Sequence, residues 1–233
     1  MNAKRKQTAF SLSKSAFIRS LQCLKSLYLY KNYYALRDKP SIELLARFQQ
    51  GIDIGKLAWE LFPQGIDVHP ASFFPSGISK AVKQTQNHLS SDNIILYEAS
   101  IMYNRAFNIL DILQKKGKKI YAYEVKSSVL ISETYILDAA FQYYVMKGAG
   151  YQPEQFFIIH LKEGYDSSSQ DINSLTKTDV TEKLIGLDDY IAKNISKAFQ
   201  AYTDNSLLKV QRGEQCNKPY PCDFSGFCNR FKK

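Results

Sequence analysis

The stretch 93–127, NIILYEASIMYNRAFNILDILQKKGKKIYAYEVKS, decides the fold. It divides into three runs rich in Ile, Leu, Tyr and Val, at 93–104, 105–114 and 118–127, and reads as a meander of three strands. A two-residue turn at Gly117-Lys118 sets Asp111 directly opposite Glu124. The β-carbons of such a pair stand about 4.5–5.5 Å apart on one face. Lys126 follows Glu124 by two positions and points to the same face, because strand side chains alternate. A turn at Tyr103-Asn104 in the preceding hairpin pairs Glu98 with Ile109, which leaves Glu98 on the Asp111 side but displaced diagonally. Three carboxylates and one lysine then converge.

Carboxylates set side by side in an apolar sheet repel each other and lose hydration, so the arrangement is costly unless a positive charge joins them. A hard divalent cation, magnesium or manganese, meets that need: it takes carboxylate oxygens and retains waters, one of which can attack a phosphodiester. The lysine ammonium can position that water or stabilise charge growing on the phosphate. A structural salt bridge of Lys126 with Glu124 or Asp111 is the alternative reading of the same residues.

Upstream, Ser11 or Ser13 can cap a helix carrying Phe17, Leu21, Leu24 and Tyr28, with Cys23 inside it. Ser41 with Leu44, Leu45, Phe48 and Ile52 predicts a second helix ending near 62–65, and 79–89 a third. Downstream come a helix at 132–147, a buried-type strand at 155–161, a polar loop at 164–174 and a helix at 182–202. On the helix after the meander, Asp138 and Gln142 are four apart and share a face, so Gln142 can reach a phosphate or a metal-bound water, or be an ordinary boundary residue. The fold class expected is α/β, a central mixed sheet flanked by helices. The division expected is one domain over 1–233: an N-terminal helical region at 1–92, a core sheet and helix at 93–163, and a cysteine segment at 211–233 packing on the helix with Cys23.

The chain has 31 Lys and Arg against 22 Asp and Glu, a formal charge of +9 and a pI near 9.2, which favours a polyanionic partner, nucleic acid first. No run approaches the ~18 apolar residues of a membrane span, and Lys4-Arg5-Lys6 is followed by no secretory core, so a cytoplasmic protein without a membrane partner is expected. In a reducing compartment the four cysteines are free thiols or metal ligands rather than disulfides. Cys216, Cys222 and Cys228 cluster near the end of the chain, and with Cys23 they make a complete four-thiolate set for zinc or an iron-sulfur cluster. The spacing does not choose between these metals, and four unrelated reduced thiols are the remaining alternative. Ligation would bring Lys4, Arg5, Lys14, Arg19 and Lys25 near Arg230, Lys232 and Lys233 as one basic surface. His69, His88 and His160 read as incidental.

Taken together the residues resemble the RecB-like branch of the PD-(D/E)XK nucleases, in particular the CRISPR-associated exonucleases and relatives with a C-terminal cysteine cluster. The likeness is carried by Leu12-Ser13-Lys14-Ser15, Cys23 to Leu29, Gly51, 61–65, Tyr97-Glu98-Ala99, Leu110-Asp111-Ile112-Leu113, Glu124-Val125-Lys126, Asp138 to Gln142 and 216–228. The resemblance implies that Asp111, Glu124 and the Val125 carbonyl bind the divalent ion, Lys126 is the catalytic lysine and Gln142 the glutamine of the following helix. It implies a [4Fe-4S] cluster on Cys23, Cys216, Cys222 and Cys228, DNA with single-stranded or free ends as substrate, and CRISPR integration proteins as partners of the members that trim spacers. Gly55 stands where many relatives have a histidine ligand, with Glu98 or Glu60 as substitutes, and the last three cysteines are more evenly spaced than in the better-known members. An adaptor that keeps the fold and binds nucleic acid without cutting it, or a structure-selective endonuclease, are the rival functions.

Overall fold

The computed structural model describes residues 11–165 and 171–230; Lys4, Arg5, Lys6, Lys232, Lys233 and part of the 164–174 loop lie outside them. In chain order the elements are β1 (Leu12–Ser13), α1 (Lys14–Gln22), α2 (Leu24–Asn32), α3 (Ile42–Trp59), β2 (Ile66–Asp67) and α4 (Pro75–His88). Next come β3 (Asn93–Tyr103), β4 (Ala106–Lys116), β5 (Lys119–Lys126), α5 (Glu133–Gly148), β6 (Gln155–Leu161), β7 (Leu175–Asp179), α6 (Thr181–Leu184), α7 (Asp188–Ala201) and α8 (Ser225–Asn229). Serine caps start three helices, each hydroxyl accepting a first-turn N–H: Ser13 from Ala16, Ser41 from Leu44 and Ser132 from Tyr135.

The strands form one seven-stranded mixed sheet in the order β2-β3-β4-β5-β6-β7, with β1 attached to β4. This is the α/β architecture expected. Its larger core, on one face, includes Phe17 of α1, Phe141 of α5 and Ile191 of α7; Phe17 and Phe141 stack at 4.7 Å between centroids. The smaller core seats Ile54, Leu57 and Ala58 of α3 on Tyr97, Ile112, Tyr123 and Ile159. No described helix is long and apolar enough to cross a membrane.

Several expectations are corrected. The first long helix is two, because Cys23 takes an extended backbone (φ −162°, ψ 114°) between α1 and α2. The last is also two, broken at Gly186, whose φ of +90° suits glycine and interrupts the helical path. The third helix begins earlier, at Pro75, whose missing N–H costs nothing in a first turn. Strand β7, whose sequence LTKTD is mostly polar and offers no apolar run to mark it, pairs antiparallel with β6 at the sheet edge.

The β4–β5 hairpin has the register expected, with Ile112 opposite Tyr123 and Lys116 opposite Lys119. The β3–β4 turn lies one residue later than expected, at Asn104-Arg105, both with positive φ (45° and 68°) as a twisted two-residue hairpin demands. Ser100 therefore faces Ile109, and Glu98 stands across from Asp111 rather than diagonal to it. The ladder passes from Tyr97–Ile112 to Ala99–Leu110 without pairing those two residues. Leu96 and Ala99, like Leu113 and Leu110, all enter the larger core, so alternation slips by one on both strands at this level. Glu98 absorbs the slip with a φ of +57°.

Candidate active site

Strand β4 is shared along one edge by two neighbours. β5 pairs with its Ile112–Lys116 half, and β1 takes over in parallel at Ala106 and Phe107, so Asp111 falls in the gap between them. Beyond Tyr123 the β5 ladder to β4 ends, and the Val125 N–H donates to Asp111 Oδ2 at 2.6 Å, the carboxylate standing in for a strand carbonyl. Lys14 enters from the β1 side and Glu124 from the β5 side.

Glu124, with 2% of its side chain exposed, is the hub. Its Oε2 accepts Gln142 Nε2 at 2.7 Å, and its Oε1 accepts both Lys14 Nζ and Lys126 Nζ, each at 2.6 Å. Lys126 also donates to Asp138 Oδ2, from which Lys14 Nζ is 3.8 Å away. Asn108 of β4 donates to Gln142 Oε1 at 3.4 Å, tying the α5 glutamine back to the sheet. Asp138 and Gln142 share a face of α5 as their spacing implies, and that face is buried against the sheet. On the other side, His69 Nδ1 lies 3.5 Å from Glu98 Oε2, so this histidine is not incidental. Glu60 is exposed at the end of α3, which leaves Glu98 as the carboxylate beside Asp111.

The electrostatics follow from burial and from these neighbours. Burial first, then the Glu124 and Glu98 charges, push the Asp111 carboxyl up to about 8, against the pull of Lys14 and Lys126. Burial also opposes ionisation of Glu124, but the Lys126 and Lys14 ammoniums outweigh it and hold that carboxyl well below its usual range. Glu98 and Asp138 are raised, chiefly by burial. Four carboxylates thus face two ammonium groups, an excess of two negative charges when all are ionised. Asp138 Oδ1 is buried without a hydrogen-bond partner.

A hard divalent cation fits this set in charge and in donor type. Among the described residues, no three His, Cys, Asp or Glu side chains meet as a ready metal cage; here the ammoniums hold Glu124 and Asp138 as ion pairs.

Cys23, Cys216, Cys222 and Cys228 line one cavity with Lys25, Ser26 and Phe224, and all four are free thiols. Burial pushes the Cys23 and Cys228 thiols up, with further contributions from Cys222 and Cys216. The extended backbone at Cys23 lies beside polar ties to the cysteine segment: Gln22 Nε2 donates to the Gln215 and Tyr220 carbonyls, and Arg19 and Arg37 clamp Asp223. Thiols are the donor type that zinc or an iron-sulfur cluster takes, but the four do not meet here as a ready metal cage.

Sequence reasoning missed Lys14, His69 and Asn108 as members of the site. Nothing local marks them, because their partners lie tens of residues away or more, and only the sheet brings them together.

No known family's sequence profile matches the chain, and no curated protein is significantly similar to it. Among solved structures, a protein titled SSO0001 is similar at 10% identity and a TM-score of 0.46, over 98% of this chain and 90% of its own. The exonuclease LHK-Exo in complex with dAMP is similar at 9% identity and a TM-score of 0.42, over 82% and 89% of the two chains. A second structure of that alkaline exonuclease, from Laribacter hongkongensis, gives 10% identity and a TM-score of 0.32, over 81% and 94%. At scores below 0.5 the likeness is loose, and the functional reading rests on this chain's own side chains.

Proposed function

We propose that this chain is a divalent-metal-dependent nuclease that hydrolyses phosphodiester bonds in DNA, working from single-stranded or free ends in repair or in CRISPR spacer processing. The observation that carries the reading is the cluster of Glu98, Asp111, Glu124 and Asp138 with Lys14 and Lys126 at the gap in the sheet, carboxyl groups crowded closely enough to push Asp111 up to about 8 and too costly to keep without a task.

Asp111, Glu124, Glu98 and the Val125 carbonyl would hold magnesium or manganese, which supplies charge neutralisation for the phosphate and a water of lowered pKa. Gln142 fixes one oxygen of Glu124 and leaves the other to the two lysine ammoniums. Asp138 anchors Lys126, so that its ammonium stays charged and can donate to a phosphate oxygen or orient the attacking water. The formal charge of +9 suits a polyanionic substrate. The cysteine cavity would hold a [4Fe-4S] cluster, with zinc as the alternative, fastening segment 211–230 to the α1–α2 junction. CRISPR integration proteins would be partners only in the spacer-processing role.

The test is cleavage of end-labelled single-stranded DNA in magnesium or manganese. Glu124→Gln and Lys126→Ala should each lower the rate by at least about a hundredfold, the scale of removing one charge-stabilising group. Wild-type rates in either folded, metal-replete variant would refute the assigned site. Degradation of linear but not circular substrate separates an exonuclease from an endonuclease. Specific binding without cleavage by the wild-type protein would favour the adaptor, for which Gly55, in place of a histidine, is the supporting observation.

A further inference from the structure

Of the two ammoniums in the cluster, Lys14 has the fewer close partners. Lys126 has Glu124 and Asp138 as close partners, whereas Lys14 has only the Glu124 oxygen that Lys126 already uses, with Asp138 at 3.8 Å. Both ammoniums sit 2.6 Å from that single oxygen. A cation bound there through Glu124 would compete with both, and Lys126 keeps Asp138 while Lys14 keeps nothing within hydrogen-bonding distance. The Lys14 side chain is 23% exposed, so it is already turned partly to solvent. Its backbone cannot follow: Ser13 is laddered to Phe107 and caps α1 through Ala16. Lys14 is also the first residue of the nine-residue helix α1, where unpaired N–H groups favour an anion.

We propose that Lys14 is a substrate-binding residue that exchanges its Glu124 contact for a phosphate of the DNA strand once the divalent ion occupies the carboxylates. This rests on the nuclease reading above. In the metal-free protein Lys14 neutralises Glu124; in the metal-bound protein it is a positive charge held at the mouth of the gap by a fixed backbone. A phosphate diester, with one negative charge shared between two non-bridging oxygens, is the ligand such an ammonium takes.

The test compares wild-type protein, Lys14→Gln and Lys14→Arg in binding a fluorescent single-stranded oligonucleotide over a range of salt. Binding is measured in calcium, with the oligonucleotide verified intact, and again in chelator. Each phosphate contact to a single strand contributes about 0.7 to the slope of log affinity against log salt. In calcium, Lys14→Gln should bind about tenfold more weakly with a slope smaller by about that amount, and Lys14→Arg should stay near wild type. In chelator, wild type and Lys14→Gln should have the same slope. Manganese affinity, measured by calorimetry, should be equal or higher in Lys14→Gln, since a competitor for Glu124 is gone. An unchanged slope in calcium, an equal change in both conditions, or weaker manganese binding would overturn the proposal. If the wild-type protein cuts DNA and the Lys14→Gln slope is unchanged, only the role of Lys14 falls. Failure of the wild-type protein to bind DNA at all removes the nuclease reading with it.

Discussion

Asp111 Oδ2 accepts the Val125 N–H at 2.6 Å, a side chain filling a backbone position at the point where two strands part. The contact fixes one carboxylate oxygen while burial and the Glu124 and Glu98 charges press the group toward its protonated form, up to about 8.

A pH dependence follows, with a definite sign. In the unfolded chain Asp111 ionises near pH 4. Because its folded value is raised, its contribution to stability is complete below about pH 4 and is lost as pH rises through about 8. Glu124 runs the other way: its value is depressed, so its contribution is present above about pH 4 and lost on acidification. In chelator, the melting temperature of the wild-type protein should therefore fall between about pH 5 and 8 more than that of Asp111→Asn. Adding magnesium or manganese should reverse the wild-type fall, and manganese affinity should rise with pH over that range as the Asp111 proton leaves. A flat wild-type profile in chelator would show that Asp111 is not held protonated.

At the cysteines, anaerobically purified protein should be brown and contain iron and sulfide in the ratio of one four-iron cluster. Replacement of Cys222 by Ser should release the metal and make segment 211–230 a preferred protease target, because that segment has few buried apolar residues of its own beyond Cys216 and Phe224. A colourless protein with one zinc would keep the staple and change its metal. Metal-free protein that resists protease as the wild type does would remove the staple altogether.

Gly55 occupies the interior of α3, and a β-carbon built there meets no atom within 4 Å. With nothing to clash against, Gly55→Ala should stabilise the protein by about 0.5–1 kcal/mol through the lower entropy of its unfolded chain. Urea denaturation would detect this as a higher midpoint with an unchanged slope. Destabilisation would mean that the glycine serves a contact or a motion.

The three-strand meander was legible because its alternation and its Gly117-Lys118 turn are local properties, and with them came the nearness of Asp111 and Glu124, although the ladder ends one pair short of them at Ile112–Tyr123. The α5 strip of Asp138 and Gln142 was legible in the same way, since a helix repeats over a few residues. The breaks at Cys23 and Gly186 were not: each flanking segment keeps helical periodicity, and a break of one residue at Cys23 or three around Gly186 leaves that periodicity readable as one helix. Nor did pattern alone show that the chain opens β4 between β1 and β5, or that Glu98 faces Asp111 through a paired slip in both strands.

By itself, then, the sequence determined the residues that had to be close because a turn or a helical repeat holds them close, namely Asp111 with Glu124, Glu124 with Lys126, and Asp138 with Gln142. Only the tertiary structure decided that Lys14 reaches Glu124 from 110 residues away and that His69 reaches Glu98. The reason is physical. Local order follows from backbone geometry within a few residues, whereas the meeting of distant charges depends on how the apolar faces of β4, α1 and α5 bury against one another.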